Sequence, residues 1–175
     1  HTSLVSDWSS DVCSSDLGRL TLSYPEVRKF IKTELIELVK KEFSDAEAVA
    51  GVATAGIPQG AMIADELDLP FLYVRSKAKG HGKENQVEGK VISGQKVVVI
   101  EDVLSTGASS IKAVEALRDQ GLEVLGIAAM FTYGFDVMEE NLAEANVTLK
   151  TLSNYTTLVV EFSRQIGRAS CRERV

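Results

Sequence analysis

Between Ser14 and Ser170 the chain has no cysteine; its two, Cys13 and Cys171, stand near the ends. A disulfide within the body of the fold is excluded, and a reducing, cytoplasmic compartment is expected. Histidine is scarce too: His1 and His81 are the two, so a histidine-rich metal cluster is not on offer. No apolar run approaches the roughly 20 residues that cross a bilayer. Positive charge is in deficit, with a formal net charge of −6 and no basic arm or basic amphipathic helix. That argues against a general binder of nucleic acid or anionic membrane. Any anionic ligand must therefore be met by local cations or by backbone N–H groups.

What is present suits one globular domain. The 175 residues are enough to bury a core, and 45% hydrophobic with 25% charged residues is ordinary for such a chain. The ends read differently from the middle. Residues 1–18 hold the single tryptophan and six serines, yet lack the basic start and long apolar centre of a signal peptide. With the tail from Gly167 to Val175 they resemble translated adapter or vector sequence appended to a partial reading frame, leaving 19–166 as the domain.

The stretch Val97 to Ser109, VVVIEDVLSTGAS, organises the rest. Lys96 to Ile100 is a β-branched run that suits a central parallel strand covered on both faces. Glu101 and Asp102 follow at its carboxyl end, where open α/β sheets place their ligands. Val103 and Leu104 lead into Ser105, Thr106, Gly107, Ala108 and Ser109, a small-residue turn that opens a helix and lets N–H groups converge on an anion. Carboxylates beside an anion cradle suggest a ligand with vicinal hydroxyls and a phosphate. The carboxylates could accept hydrogen bonds from ribose hydroxyls or hold a magnesium ion. The stretch is neither a Walker A loop nor a GxGxxG turn; the plain alternative is a strand-to-helix turn with solvated acids and a capped helix.

Elsewhere the pattern alternates. Pro25 opens a helix in which Val27, Phe30, Ile31, Leu35, Leu38 and Val39 recur at helical spacing. Ala48 to Val52 reads as a strand ending in the small-residue loop 53–58, which either lets a charged ligand approach the backbone or is an ordinary βα turn. A helix over 59–67 and a strand over 71–74 follow. Arg75 stands at that strand's end, and Ser76 to Lys90 reads as a positively charged loop carrying Lys79 and His81, of a kind that closes over a reaction. Arg75, Lys79 and His81 could neutralise a leaving pyrophosphate. A helix over 111–120, a strand over 124–130, the loop Phe131-Thr132-Tyr133-Gly134, a helix over 136–145 and a strand over 147–152 complete a mostly parallel, doubly wound α/β sheet flanked by helices. The aromatics of that loop either stack on a planar base or pack in the core.

Val97 to Ser109 resembles the phosphoribosyl-diphosphate binding motif of the type I phosphoribosyltransferases. Gly51 to Pro58, Leu69 to Gly82 and Phe131 to Gly134 are similar to segments of the orotate phosphoribosyltransferases, in family order from about Arg19 to Phe162. The resemblance implies the type I phosphoribosyltransferase fold and a pentosyltransferase of pyrimidine (UMP) biosynthesis. Ribose 5-phosphate would pass from phosphoribosyl diphosphate to orotate with Mg2+, giving orotidine 5′-phosphate and pyrophosphate. It further implies a homodimer in which the 76–90 loop reaches the other subunit. Thr54 to Gly56 would face the pyrophosphate, Glu101 and Asp102 the ribose hydroxyls and magnesium, and Leu104 to Ser109 the 5-phosphate. Ser105 would also touch orotate. The family's N-terminal hood, which supplies orotate contacts, is expected to be missing before Arg19, so weak orotate binding is expected. Two alternatives stay open: a transferase of the same fold for another base, and a non-enzymatic phosphoribosyl-diphosphate sensor.

Overall fold

The computed structural model describes residues 18–76 and 86–160. Six strands form one sheet in the order β3-β2-β1-β4-β5-β6, with β1 Ala48–Val52, β2 Phe71–Val74, β3 Val87–Glu88, β4 Lys96–Leu104, β5 Glu123–Thr132 and β6 Leu149–Asn154. All pairings are parallel except β2 with β3. The expected α/β architecture is therefore present, with a small antiparallel strand added at one edge. Segment 76–90 is not one loop: Val87 and Glu88 pair with Val74 and Tyr73, and the Arg75 N–H donates to the Gln86 carbonyl at 2.8 Å. Two residues carry too little periodicity for the sequence to show such an edge strand.

Among the described residues, four helices of nine residues or more cover the two faces: α1 Pro25–Glu42, α2 Gly56–Leu67, α3 Ala108–Asp119 and α4 Asp136–Glu144. On one face Ile31, Leu35, Ile36 and Val39 of α1 and Ile63 and Ala64 of α2 pack on Val49, Val98, Ile100 and Ala128. On the other, Ala113, Val114 and Leu117 of α3 and Met138 and Leu142 of α4 pack on Val97, Val99, Ile127 and Ala129. Successive residues of β4 thus point to opposite layers, as the pleat demands, and Val97 to Ile100 are all fully buried.

Some boundaries move, each for a local reason. α2 begins at Gly56, three residues before the sequence pattern places it. Pro58 falls in its first turn, where a missing N–H costs nothing because those donors have no partner within the helix. α3 likewise begins at Ala108, with Gly107 as N-cap at φ 75°. Phe30 of α1 is 65% exposed, and burial in that helix starts only at Ile31. The helix entry is instead tied to a 3-10 turn, Thr21–Ser23, by Arg28, whose Nη1 donates to the Leu22 carbonyl at 2.7 Å. Residues 155–160 are helical, and Asn154 Oδ1 accepts from the Thr157 N–H at 2.8 Å in the manner of an N-cap.

Packing between α1 and the sheet is tight at one glycine. A Cβ on Gly126 would stand 2.6 Å from Phe43 Cε1 and 2.7 Å from the Thr148 carbonyl oxygen, and that backbone oxygen cannot swing aside. Gly126→Ala is expected to destabilise the fold by about 1–3 kcal/mol, read from urea unfolding midpoints; an unchanged midpoint would show that β6 yields freely there.

Candidate active site

The chain passes from β1 to β2 on one side and returns to β4 on the other, so β1 and β4 flank the point where strand order reverses. Open α/β sheets bind ligands in the crevice outside the carboxyl ends of such strands. β4 outruns β1 there. Its last residue paired to β1 is Ile100, opposite Gly51, whereas pairing with β5 continues to Leu104 opposite Thr132. The flank of Glu101 to Leu104 on the β1 side is left to the turn that leaves β1.

That turn, Ala53 to Ala55, carries a cis Ala53–Thr54 peptide bond and runs directly into α2. Gly56 presses against the strand so closely that a Cβ there would collide with the Ile100 carbonyl oxygen. Thr54 is exposed, Ala55 half-buried and Gly56 buried. Of the three residues expected to face a ligand, Thr54, Ala55 and Gly56, the last stands against the start of the acid pair, where a Cβ on it would lie 3.4 Å from Glu101 Cα.

Glu101 and Asp102 lie inside the strand, 6% and 8% exposed. Adjacent strand residues leave the backbone toward opposite layers, but the longer Glu101 side chain turns back. Its Oε1 accepts the Asp102 N–H at 3.2 Å and its Oε2 accepts the Ser110 hydroxyl at 3.0 Å. Burial pushes the Glu101 carboxyl up to about 8; the Asp102 carboxylate beside it adds to the rise, and Ser110 opposes it. Near neutral pH this site therefore pairs a largely protonated Glu101 with its neighbour. Asp102 is roofed by the first described residues. A Cβ on Gly18 would stand 2.6 Å from Asp102 Oδ2, and the Gly18 carbonyl is held by the Thr21 hydroxyl at 2.6 Å. Gly18, which the sequence reading put in the appended flank, is packed on the site.

Beyond Leu104 the chain bends through Ser105, Thr106 and Gly107 into α3. Ser105, Thr106, Ala108 and Ser109 are exposed and Gly107 is buried. No side chain caps this helix, so its first N–H groups are left for solvent or an anion. α4 braces the bend: Asn141 Nδ2 donates to the Thr106 carbonyl at 3.0 Å, and Met138 Cγ would lie 3.5 Å from a Cβ on Gly107. Neither Ser110 nor Asn141 was singled out from the sequence, because a polar residue on a helix signals nothing until the fold shows what it faces. Gln59 escaped for the same reason: it is 1% exposed, and among the described residues neither of its amide atoms has a hydrogen-bond partner.

Arg75 ends β2 at the same end of the sheet, but its guanidinium is shared with Glu88 of β3 at 3.4 Å. Lys79 and His81 lie outside the described residues. The aromatics at the end of β5 pack on one another: Tyr133 stacks near-parallel on Phe135 at 5.4 Å and meets Phe131 edge-on at 5.4 Å. A cavity of about 410 Å³ opens beside them, lined by Tyr133, Met138, Glu139 and Asn154 among others. Among the described residues no three or more His, Cys, Asp or Glu gather into a metal cage, and no helix is long and apolar enough to cross a membrane.

A family model described as the phosphoribosyl transferase domain matches residues 25–163. The chain is 53% identical over 157 residues to the orotate phosphoribosyltransferase of Cytophaga hutchinsonii, covering 90% of this chain and 74% of that protein. The crystal structure of orotate phosphoribosyltransferase from Aeropyrum pernix matches with TM-score 0.75 and 34% identity, over 83% of this chain and 81% of that one. Orotate phosphoribosyltransferase of Mycobacterium tuberculosis, in complex with 5-phospho-alpha-D-ribosyl 1-diphosphate, matches with TM-score 0.66 and 27% identity, over 81% and 80% of the two chains.

The raised Glu101 carboxyl has a consequence for stability. Between its ordinary 4.5 and about 8 the folded chain keeps a proton that the unfolded chain releases. The contribution is thus complete below 4.5 and is lost as pH rises through about 8. The thermal midpoint is expected to fall from pH 5 to pH 9, and Glu101→Gln, which mimics the neutral form, to flatten that fall. A variant with an undiminished slope would refute the assignment.

Proposed function

The chain belongs to the phosphoribosyl transferase family, and on that premise we propose that it is an orotate phosphoribosyltransferase. In the reaction, the bond between the anomeric carbon of phosphoribosyl diphosphate and its pyrophosphate oxygen breaks. A bond to a ring nitrogen of orotate forms and that nitrogen loses its proton; the products are orotidine 5′-phosphate and pyrophosphate. The observation that carries the reading is the meeting of three features at the strand reversal: the Glu101–Asp102 pair, the uncapped start of α3 and the close turn at Gly56.

The roles follow from charge and donor type. Leu104 to Ser109 offer backbone N–H groups and the exposed Ser105, Thr106 and Ser109 hydroxyls to the 5-phosphate. Glu101 and Asp102 face the ribose hydroxyls, where a protonated Glu101 can donate as well as accept. Asp102 supplies negative charge near the sugar ring as positive charge develops there during C–O cleavage. Thr54, Ala55 and Gly56 present the backbone to the pyrophosphate. Arg75, once drawn from Glu88 by a more highly charged anion, joins them, with Lys79 and His81 from the neighbouring segment. No side-chain nucleophile is needed.

Two carboxyl groups without a third protein ligand fit Mg2+, which is held through one or two carboxylates with the remaining positions filled by substrate oxygens and water. Asp102 would hold it, joined by Glu101 once that carboxyl has given up its proton, and when bound it supplies positive charge to the diphosphate. The same reading places the enzyme in the cytoplasm as a homodimer in which the segment between β2 and β3 serves the partner's site. Ser105 is assigned a contact to orotate as well.

Pyrophosphate release is expected with orotate and not with hypoxanthine, adenine or uracil; release with one of the other bases instead would reassign the acceptor. Asp102→Asn should lower kcat/KM about 10²-fold or more while leaving the thermal midpoint within a few degrees, and a variant of unchanged activity would remove Asp102 from the mechanism.

A further inference from the structure

Ser110 has been given no part in ligand binding, yet it is 1% exposed at the third position of α3, with its hydroxyl aimed into the sheet. Serine near a helix start usually bonds to its own backbone. Here the Oγ spans to Glu101 Oε2 at 3.0 Å, nine residues back along the chain. The other oxygen, Oε1, takes the Asp102 N–H at 3.2 Å. Each carboxyl oxygen thus has one direction occupied by a protein donor, and the remaining directions of the group, acceptor lone pairs or the acid proton, are left over. A carboxyl fixed at both oxygens cannot rotate, and its remaining directions are set before a ligand arrives.

We propose that Ser110 is a positioning residue for the sugar-diphosphate donor, acting through Glu101: it locks the carboxyl so that its unoccupied hydrogen-bonding directions meet the ribose hydroxyls. The inference rests on the donor-site reading above. It also couples two parts of the site. Ser110 rides on the helix whose first turn is assigned to the 5-phosphate, while Glu101 rides on the strand assigned to the hydroxyls. The hydroxyl-to-carboxyl bond therefore holds the two binding elements in register. Without it, Glu101 Oε2 becomes a buried oxygen with no donor, which costs more than the bond itself was worth, and the side chain is free to turn from the ligand.

The test is a double-mutant cycle on donor binding, read by titration calorimetry of phosphoribosyl diphosphate with magnesium and no acceptor, in the full chain. Ser110→Ala is expected to weaken donor binding about tenfold. In a Glu101→Gln background the same substitution should cost less than about twofold, since a partner already altered leaves little to lose. A merely structural serine would give equal losses in both backgrounds, and that result overturns the proposal, as does unchanged binding in Ser110→Ala. Should Ser110→Ala melt lower, the comparison between backgrounds still decides. If the unsubstituted chain binds no donor at all, the functional reading itself fails and takes this inference with it. If it binds donor while the cycle is additive, only the role of Ser110 falls.

Discussion

The structure depends on β4 running past the end of β1. A fully buried β-branched strand has to be covered on both faces, and the helices that cover it are anchored on Val97 to Ile100. Where its pairing with β1 stops at Gly51, the next residues keep their β5 pairing but lose a neighbour on the other side. Carboxyl groups in the middle of such a strand would face hydrocarbon on both sides. At its overhanging end they meet instead a turn of small residues, an uncapped helix and the backbone of Gly18. One step in strand length thus converts a hydrophobic element into the floor of a polar site.

Electrostatics follow from that placement. Glu101 is buried yet not isolated: a hydroxyl and a backbone N–H reach its two oxygens while a second carboxylate stands beside it. Desolvation and like charge both favour the proton, and the two donors moderate the effect without cancelling it. A buried group whose protonation is shifted by burial and a specific charged neighbour is a mark of functional sites. Around it the glycines matter for contact rather than flexibility. Gly56 has no room for a side chain against Ile100, and only Gly107, at φ 75°, needs its backbone freedom to turn the chain into α3.

Most of the layer architecture was legible in the order of residues. The β-branched runs at Val97 to Ile100 and Ala48 to Val52 and the helical spacing of Ile31, Leu35 and Val39 carry it, because hydrophobic period reports burial directly. The same period misplaced Val27 and Phe30, which share the spacing but lie on turns that precede the sheet contact. Helix starts at Gly56 and Ala108 were hidden behind small residues and Pro58, which look like loop until the first turn is seen to need no donor. The two-residue strand at Val87 and Glu88 had no period to read. The aromatics Phe131 and Tyr133 were visible in the sequence, but only the fold decided that Tyr133 stacks on Phe135 and meets Phe131 edge-on.

By itself the sequence determined the fold class, the acid pair and the small-residue turn after it, since these are properties of contiguous residues whose local chemistry is short-ranged. Tertiary structure alone decided which groups meet across the chain: Ser110 with Glu101, Arg75 with Glu88, Asn141 with Thr106, Gly18 with Asp102. The reason is that a hydrogen bond or a packed contact depends on distances of a few ångströms between segments far apart in sequence. Those distances are set by the strand order and by where each helix is seated on the sheet.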